Sequence, residues 1–234
     1  MKHHADGAAL GEFLVSARSL AEYRAMFQLS DRDLVGRRIL DCPGGAASFT
    51  AEASALGAEV TAIDPIYDAT AAELAARAAP ETERAVAWAQ RHAGRYRWDW
   101  YGGTAEHATI RRGAAARFAA DVRTAPHRYL AGALPSLPCP DGAFDLALSS
   151  HLLFSYADRL DADFHLAALL ELTRVATTEV RVYPLLDHTG APLDELIDHL
   201  RTELHDKGIR TSLRKLAYEF HHGADTMLAL HTTV

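Results

Sequence analysis

The sequence predicts an α/β fold: a doubly wound, mostly parallel seven-stranded sheet with a C-terminal antiparallel hairpin and a helical cap. Three observations predict it. A strand, a helix and a second strand succeed one another within residues 37–63, the spacing of a βαβ unit. Helical and extended patterns then alternate to about residue 207. The last extended runs, 210–220 and 226–233, alternate apolar and polar residues around His221-His222-Gly223-Ala224-Asp225, and so pair as a hairpin.

The elements follow in order. Leu10, Phe13, Leu14, Ala17 and Ala21 share one stripe of an amphipathic helix over 8–27. Ser30 with Asp33 is a capping box for a short helical turn before Gly36. Strand one covers 37–41, a helix over 46–56 stops at Gly57, and strand two covers 59–63. The alanine-rich run 69–92 reads as helices broken at Pro80, and a further helix spans 104–122. Tyr129-Leu130-Ala131 is a weak third strand. A turn at 138–142 leads to the fourth strand, Phe144–Ser150. A helix over 161–176, a strand over 179–184 and a helix over 192–207 ending at Gly208 complete the alternation. The chain reads as a single domain, 1–234. Residues 1–35 form an N-terminal helical cap, and 66–128 a helical insertion that makes part of a lid.

Composition bounds the function classes. The chain has 234 residues, 49% hydrophobic and 24% charged, as in an ordinary globular protein. No apolar run approaches the roughly 18 residues that cross a bilayer, and the first residues lack the apolar stretch of a secretory signal. Cys42 and Cys139 make neither a disulfide framework nor a four-thiolate metal site, so a cytoplasmic location is expected. A net charge of −7 argues against a dedicated non-specific nucleic-acid binder. The charge is uneven, however. Residues 84–128 carry nine arginines against Asp99, Glu106 and Asp121, together with Trp88, Trp98 and Trp100.

The most informative stretch is Ile39-Leu40-Asp41-Cys42-Pro43-Gly44-Gly45-Ala46-Ala47-Ser48: a buried strand ending in an acid, then a small-residue turn into a helix. Such a turn lets the backbone approach a ligand and aims helix N-terminal N–H groups at it. Asp64 closes the second strand, where nucleotide-binding sheets grip ribose hydroxyls. These residues point to an adenosine-containing ligand. A Walker phosphate loop is excluded, since no Gly-Lys-Ser/Thr occurs. A nicotinamide dinucleotide fold needs Gly-x-Gly-x-x-Gly, of which Pro43, Gly45 and Ser48 supply one match. Asp41 would also stand where a pyrophosphate's negative charge passes.

In combination, the acid-ended first strand, the ribose acid, the Leu-Pro…Asp-Gly-x-Phe-Asp-Leu strand and the terminal hairpin resemble the class I S-adenosylmethionine-dependent methyltransferase family, over about residues 30–234. The resemblance implies S-adenosylmethionine as cofactor, S-adenosylhomocysteine as product, and a small-molecule acceptor. It implies that Asp41 orients the methionine end, that Pro43, Gly44 and Gly45 form the floor beneath the cofactor, and that Asp64, with Pro65, binds the ribose. Ala133 and Leu134 would face adenine, and Ser149, Ser150 and His151 would lie beside the methyl. Pro43 and Ala47 replace the family's outer glycines, and the acid often found near adenine is absent.

Candidate chemistry outside the cofactor residues is sparse. His151 is the candidate general base, Tyr156 a candidate polar group beside the acceptor, and His188 a third substrate contact. Trp98, Trp100 and Tyr101 are expected to line the substrate pocket. No histidine pair has convincing ligand spacing with a carboxylate, so no metal is expected. Three alternatives stay open: an RNA methyltransferase using the arginine-rich stretch, a non-catalytic nucleoside-binding relative, and a dinucleotide oxidoreductase. No membrane partner is expected, and the sequence does not give the oligomeric state.

Overall fold

The computed structural model describes residues 15–231. Its sheet contains β1 (Arg38–Asp41), β2 (Glu59–Ile63), β3 (Tyr129–Leu130), β4 (Phe144–Ser150), β5 (Ala176–Tyr183), β6 (Arg210–Lys215) and β7 (Thr226–His231). Their order is β3-β2-β1-β4-β5-β7-β6. β1 pairs in parallel with both β2 and β4, Asp41 lying opposite Ala62 on one side and Leu148 on the other. β7 runs antiparallel to both β5 and β6. Strand order reverses between β1 and β4, and a crevice therefore opens outside their carboxyl ends.

Strands covered on both faces need near-continuous apolar or small residues. β4 supplies them, buried from Leu146 to Ser150. On one face α1 (Leu20–Phe27) and α3 (Phe49–Ala55) pack Tyr23, Phe27 and Phe49 against Leu146 and Leu148. On the other, α6 (Ala162–Val175) and α7 (Asp194–Asp206) pack Leu169, Leu172, Leu200 and Leu204 against Val180, Leu228 and Leu230. α2 (Asp31–Leu34) is the short capped turn, with the Ser30 N–H and hydroxyl both donating to Asp33.

The structure departs from the sequence expectations at several boundaries. Within the described residues the first helix begins only at Leu20, because Ser19 caps it reciprocally with Glu22. Residues 8–14 of the expected helix lie outside the described residues. α3 starts at Phe49 rather than 46, because the Ala46 and Ser48 N–H groups donate to the Ser16 and Arg18 carbonyls instead. Pro80 does not break its helix: α4 (Ala71–Arg91) runs through it. Pro80 and Ala76 both lie on the exposed face of the helix, where a carbonyl that loses its donor is least costly. β6 stops at Lys215, since the chain beyond it leaves the ladder and the Phe220 carbonyl accepts from the Arg97 N–H. α5 (Thr104–Thr124) packs Ala114, Ala115 and Phe118 with Ala62, Tyr67 and Tyr129 in the core. No helix among the described residues is long and apolar enough to cross a membrane.

Candidate functional site

A cavity of about 490 Å³ lies at the carboxyl ends of β1, β2 and β4. Its floor is the turn after β1. The Gly44 N–H donates to the Ile63 carbonyl at 3.1 Å. A Cβ at Gly44 would come 2.5 Å from Tyr67 Oη and 2.8 Å from Ala62 Cβ, so only glycine fits. Gly45 takes φ +54 and donates its N–H to Asp64 Oδ2 at 2.9 Å, while Asp64 Oδ1 accepts from Ile66 at 3.1 Å. Asp64, 8% exposed, lines the cavity with Pro43, Gly45 and Pro65. Burial lifts its carboxyl above the ordinary carboxylate range, against the pull of those two N–H donors.

Asp41 does not reach the cavity lining. It is wholly buried, and the Tyr23 hydroxyl donates to both its oxygens, at 2.9 and 3.1 Å. Burial raises its carboxyl well above the ordinary range, opposed by that hydroxyl and reinforced by Asp64 nearby. Gly44 also lies beneath the surface, and Ser149 is buried behind it with an unpartnered Oγ.

The end of β4 forms the opposite wall. Ser150 and His151 line the cavity, the His151 N–H donating to the Tyr183 carbonyl at 2.8 Å and its Nδ1 lying 2.8 Å from Ser150 Oγ. His151 takes φ +55, which turns the chain at the strand end. Desolvation first, then the Arg18 and Arg111 charges, hold its imidazole well below the usual histidine range. It is therefore a neutral but weakened proton acceptor near pH 7. Tyr156, His188, Ala133 and Leu134 complete this side, and the His188 N–H donates to the Ser155 carbonyl.

Trp98, Trp100 and Tyr101 lie outside the lining. Trp100 is 39% exposed and meets Tyr101 and Tyr218 edge-on. Tyr101 is buried and donates to Glu22. Trp98 packs edge-on against Phe220 and His107, one layer behind the wall. Burial drops the neighbouring His107 to about 2.

Residues that the sequence reading did not select take those places. Arg18 lines the cavity, with Val15 and Ser16, on a strap crossing the glycine turn. Trp88, Tyr96 and Phe220 form an aromatic wall, Tyr96 stacking on Phe220 at 4.6 Å. The one usable signal was the Arg/Trp stretch itself, which supplies Trp88 and Tyr96. Nothing local marks Arg18 or Phe220. Most cations of that stretch are paired, among them Arg84 with Glu81, Arg97 with Glu219, Arg112 with Glu83 and Arg128 with Asp121.

No family model matches the chain. An uncharacterised protein of Methanocaldococcus jannaschii is 26% identical over 229 residues, spanning 94% of this chain and 97% of its own. Among solved structures, the magnesium protoporphyrin IX methyltransferase of Synechocystis PCC 6803 superposes with a TM-score of 0.46 at 14% identity, over 87% of this chain and 73% of that one. A SAM-dependent methyltransferase from Aquifex aeolicus gives 0.46 at 14% identity, over 91% and 93%. Scores of this size decide nothing about activity.

Proposed function

We propose that this chain is a methyltransferase that uses S-adenosylmethionine and acts on a small-molecule acceptor, working in the cytoplasm. The observation that carries this is the pairing of Asp64 with the Gly45 N–H in one cavity, at the switch point of a sheet with one reversed strand.

The cavity fits the cofactor in size and donor set. A volume near 490 Å³ suits a nucleoside-sized ligand. Each Asp64 oxygen already accepts one backbone N–H, and a carboxylate oxygen can accept two bonds. The two remaining acceptor positions suit a ribose diol. Ala133 and Leu134 offer an apolar seat for adenine, and Pro43 and Gly45 a close backbone approach. S-adenosylmethionine supplies an electrophilic methyl on a sulfonium. For such a transfer alignment supplies most of the acceleration, and the cavity walls here would hold the acceptor in line. His151, neutral at the cavity wall, can take a proton from a hydroxyl or amine, and Tyr156 and His188 would orient the acceptor. Asp41, sealed by Tyr23, acts on the floor from behind and not by contact.

Calorimetric titration with S-adenosylhomocysteine tests this. The wild type should bind, and Asp64→Ala should bind about 10–100-fold more weakly, the worth of a charge-assisted hydrogen-bond pair of roughly 1.5–3 kcal/mol. No binding by the wild type, with binding of NADH instead, would refute it. The paired arginines of α4 and α5 give an RNA acceptor no particular support.

A further inference from the structure

Arg18 is the most conspicuous charge that the proposed chemistry leaves unused. It is 7% exposed and lines the cavity, yet its Nε and Nη1 make no hydrogen bond among the described residues. Its nearest carboxylate is Glu22, 3.7 Å from Nη1 and too far to accept. Glu22 is also already satisfied. One oxygen accepts from Arg111 at 2.8 Å and from the Tyr101 hydroxyl at 2.8 Å, the other from the Ser19 N–H and hydroxyl. Two buried guanidinium groups thus share one saturated carboxylate, leaving about one unit of positive charge uncompensated among the described residues. The acids on the cavity wall do not supply the missing partner. Asp64 is engaged by Gly45 and Ile66, and Asp187 by Thr189 and Ala191.

A buried guanidinium with unmade hydrogen bonds is costly unless something completes it. Its fork of donors matches a carboxylate or similar oxyanion. The surroundings suit the rest of such a molecule, because the rings of Tyr96 and Phe220 form the adjoining wall. The field of Arg18 also reaches His151 and depresses its basicity.

We infer that Arg18 is an anion receptor inside the cavity, completed by the carboxylate or equivalent oxyanion of a bound small molecule. That oxyanion comes either from the amino-acid end of the nucleoside cofactor, which deepens the reading above, or from the acceptor, which does not depend on it. In either case the anion offsets the Arg18 charge that faces the cavity.

The test titrates the wild type, Arg18→Met and Arg18→Lys with S-adenosylhomocysteine, 5′-methylthioadenosine (the same nucleoside without the amino-acid end) and benzoate. If the cofactor supplies the anion, the wild type prefers S-adenosylhomocysteine over methylthioadenosine by tenfold or more. That preference collapses in Arg18→Met and survives in part in Arg18→Lys, with benzoate unaffected. If the acceptor supplies it, benzoate binding falls tenfold or more in Arg18→Met while the nucleosides keep their wild-type affinities. Should neither nucleoside bind the wild type, the methyltransferase reading fails, and benzoate alone decides the role of Arg18. Arg18→Met should melt at or above the wild-type temperature without ligand, because it removes a charge that no hydrogen bond from its Nε or Nη1 completes among the described residues. A large drop in melting temperature would make Arg18 a structural partner of Glu22 and overturn the inference. So would unchanged binding of all three probes in Arg18→Met, or the absence of both effects in the wild type.

Discussion

The Tyr23 hydroxyl donates to both carboxylate oxygens of Asp41, at 2.9 and 3.1 Å, and closes the end of β1 off from the cavity. The ring of Tyr23 is itself fixed, stacked on Phe49 at 4.3 Å with a 9° tilt. The acid at the end of the first strand therefore stands behind the glycine turn, one layer from any ligand.

Removing that hydroxyl has a definite pH signature. Tyr23→Phe leaves a buried carboxylate without its donor, at a cost of about 1–3 kcal/mol. The hydroxyl favours the ionised form, so the loss should grow as pH rises through the already elevated Asp41 titration and shrink in acid. Urea denaturation at several pH values measures it. A pH-independent loss would mean that the carboxyl is not the partner that matters.

Gly44, in the turn after β1, and Gly57, after α3, are two kinds of glycine. Gly44→Ala drives a Cβ to 2.5 Å from Tyr67 Oη and should cost about 1–3 kcal/mol of stability through overpacking, with weaker nucleoside binding. Gly57→Ala meets nothing within 4 Å and strains only its φ of +92, so it should cost roughly 1 kcal/mol and leave binding alone. Equal losses in the two variants would contradict this packing.

His151 should make the protein acid-sensitive. Its folded-state pKa lies well below that of the unfolded chain, so between about pH 6.5 and 5 the unfolded state takes up a proton that the folded state refuses. Stability is present above that window and is lost as pH falls through it. His151→Asn, which tolerates the positive φ, should lose about 2 kcal/mol less than the wild type between pH 7 and 5. His107, held at about 2, adds a loss of the same sign to both proteins and cancels in the difference. Identical slopes in chemical denaturation would remove His151 as the cause.

Two tryptophans should behave differently. Trp100→Ala, at a partly exposed site outside the cavity, should leave ligand affinity unchanged and lower the melting temperature modestly. Trp88→Ala opens the cavity wall and should weaken acceptor binding about tenfold, the worth of roughly 1–2 kcal/mol of lost aromatic contact. Competition titrations with a fluorescent acceptor compare the two.

Much of the frame was legible because its signals are local. The apolar run of β4, the positive-φ glycines Gly45, Gly57 and Gly208, and the Ser30–Asp33 box each act within a few residues of themselves. Asp64 was legible for the same reason, since its partners Gly45 and Ile66 belong to adjoining turns. Asp41 was placed correctly on its strand but not on its partner, because Tyr23 arrives from a helix packed across the sheet face. Trp98, Trp100 and Tyr101 carry the composition of a binding wall, yet the chain turns them toward His107, Tyr218 and Glu22.

By itself, then, the sequence determined the alternation of strands and helices, the reversed final strand, and the glycine turn facing an acid. Periodicity and turn chemistry are short-range properties and survive being read one segment at a time. The tertiary structure alone decided which side chains face the cavity. The Phe220 carbonyl meets the Arg97 N–H only once the hairpin tip closes on the helical insertion. Arg18 is left with unmade hydrogen bonds and only a 3.7 Å ion pair because Arg111, from a distant helix, has already engaged Glu22. Such competition for one buried carboxylate depends on burial and distance, and neither is written in the spacing of residues along a chain.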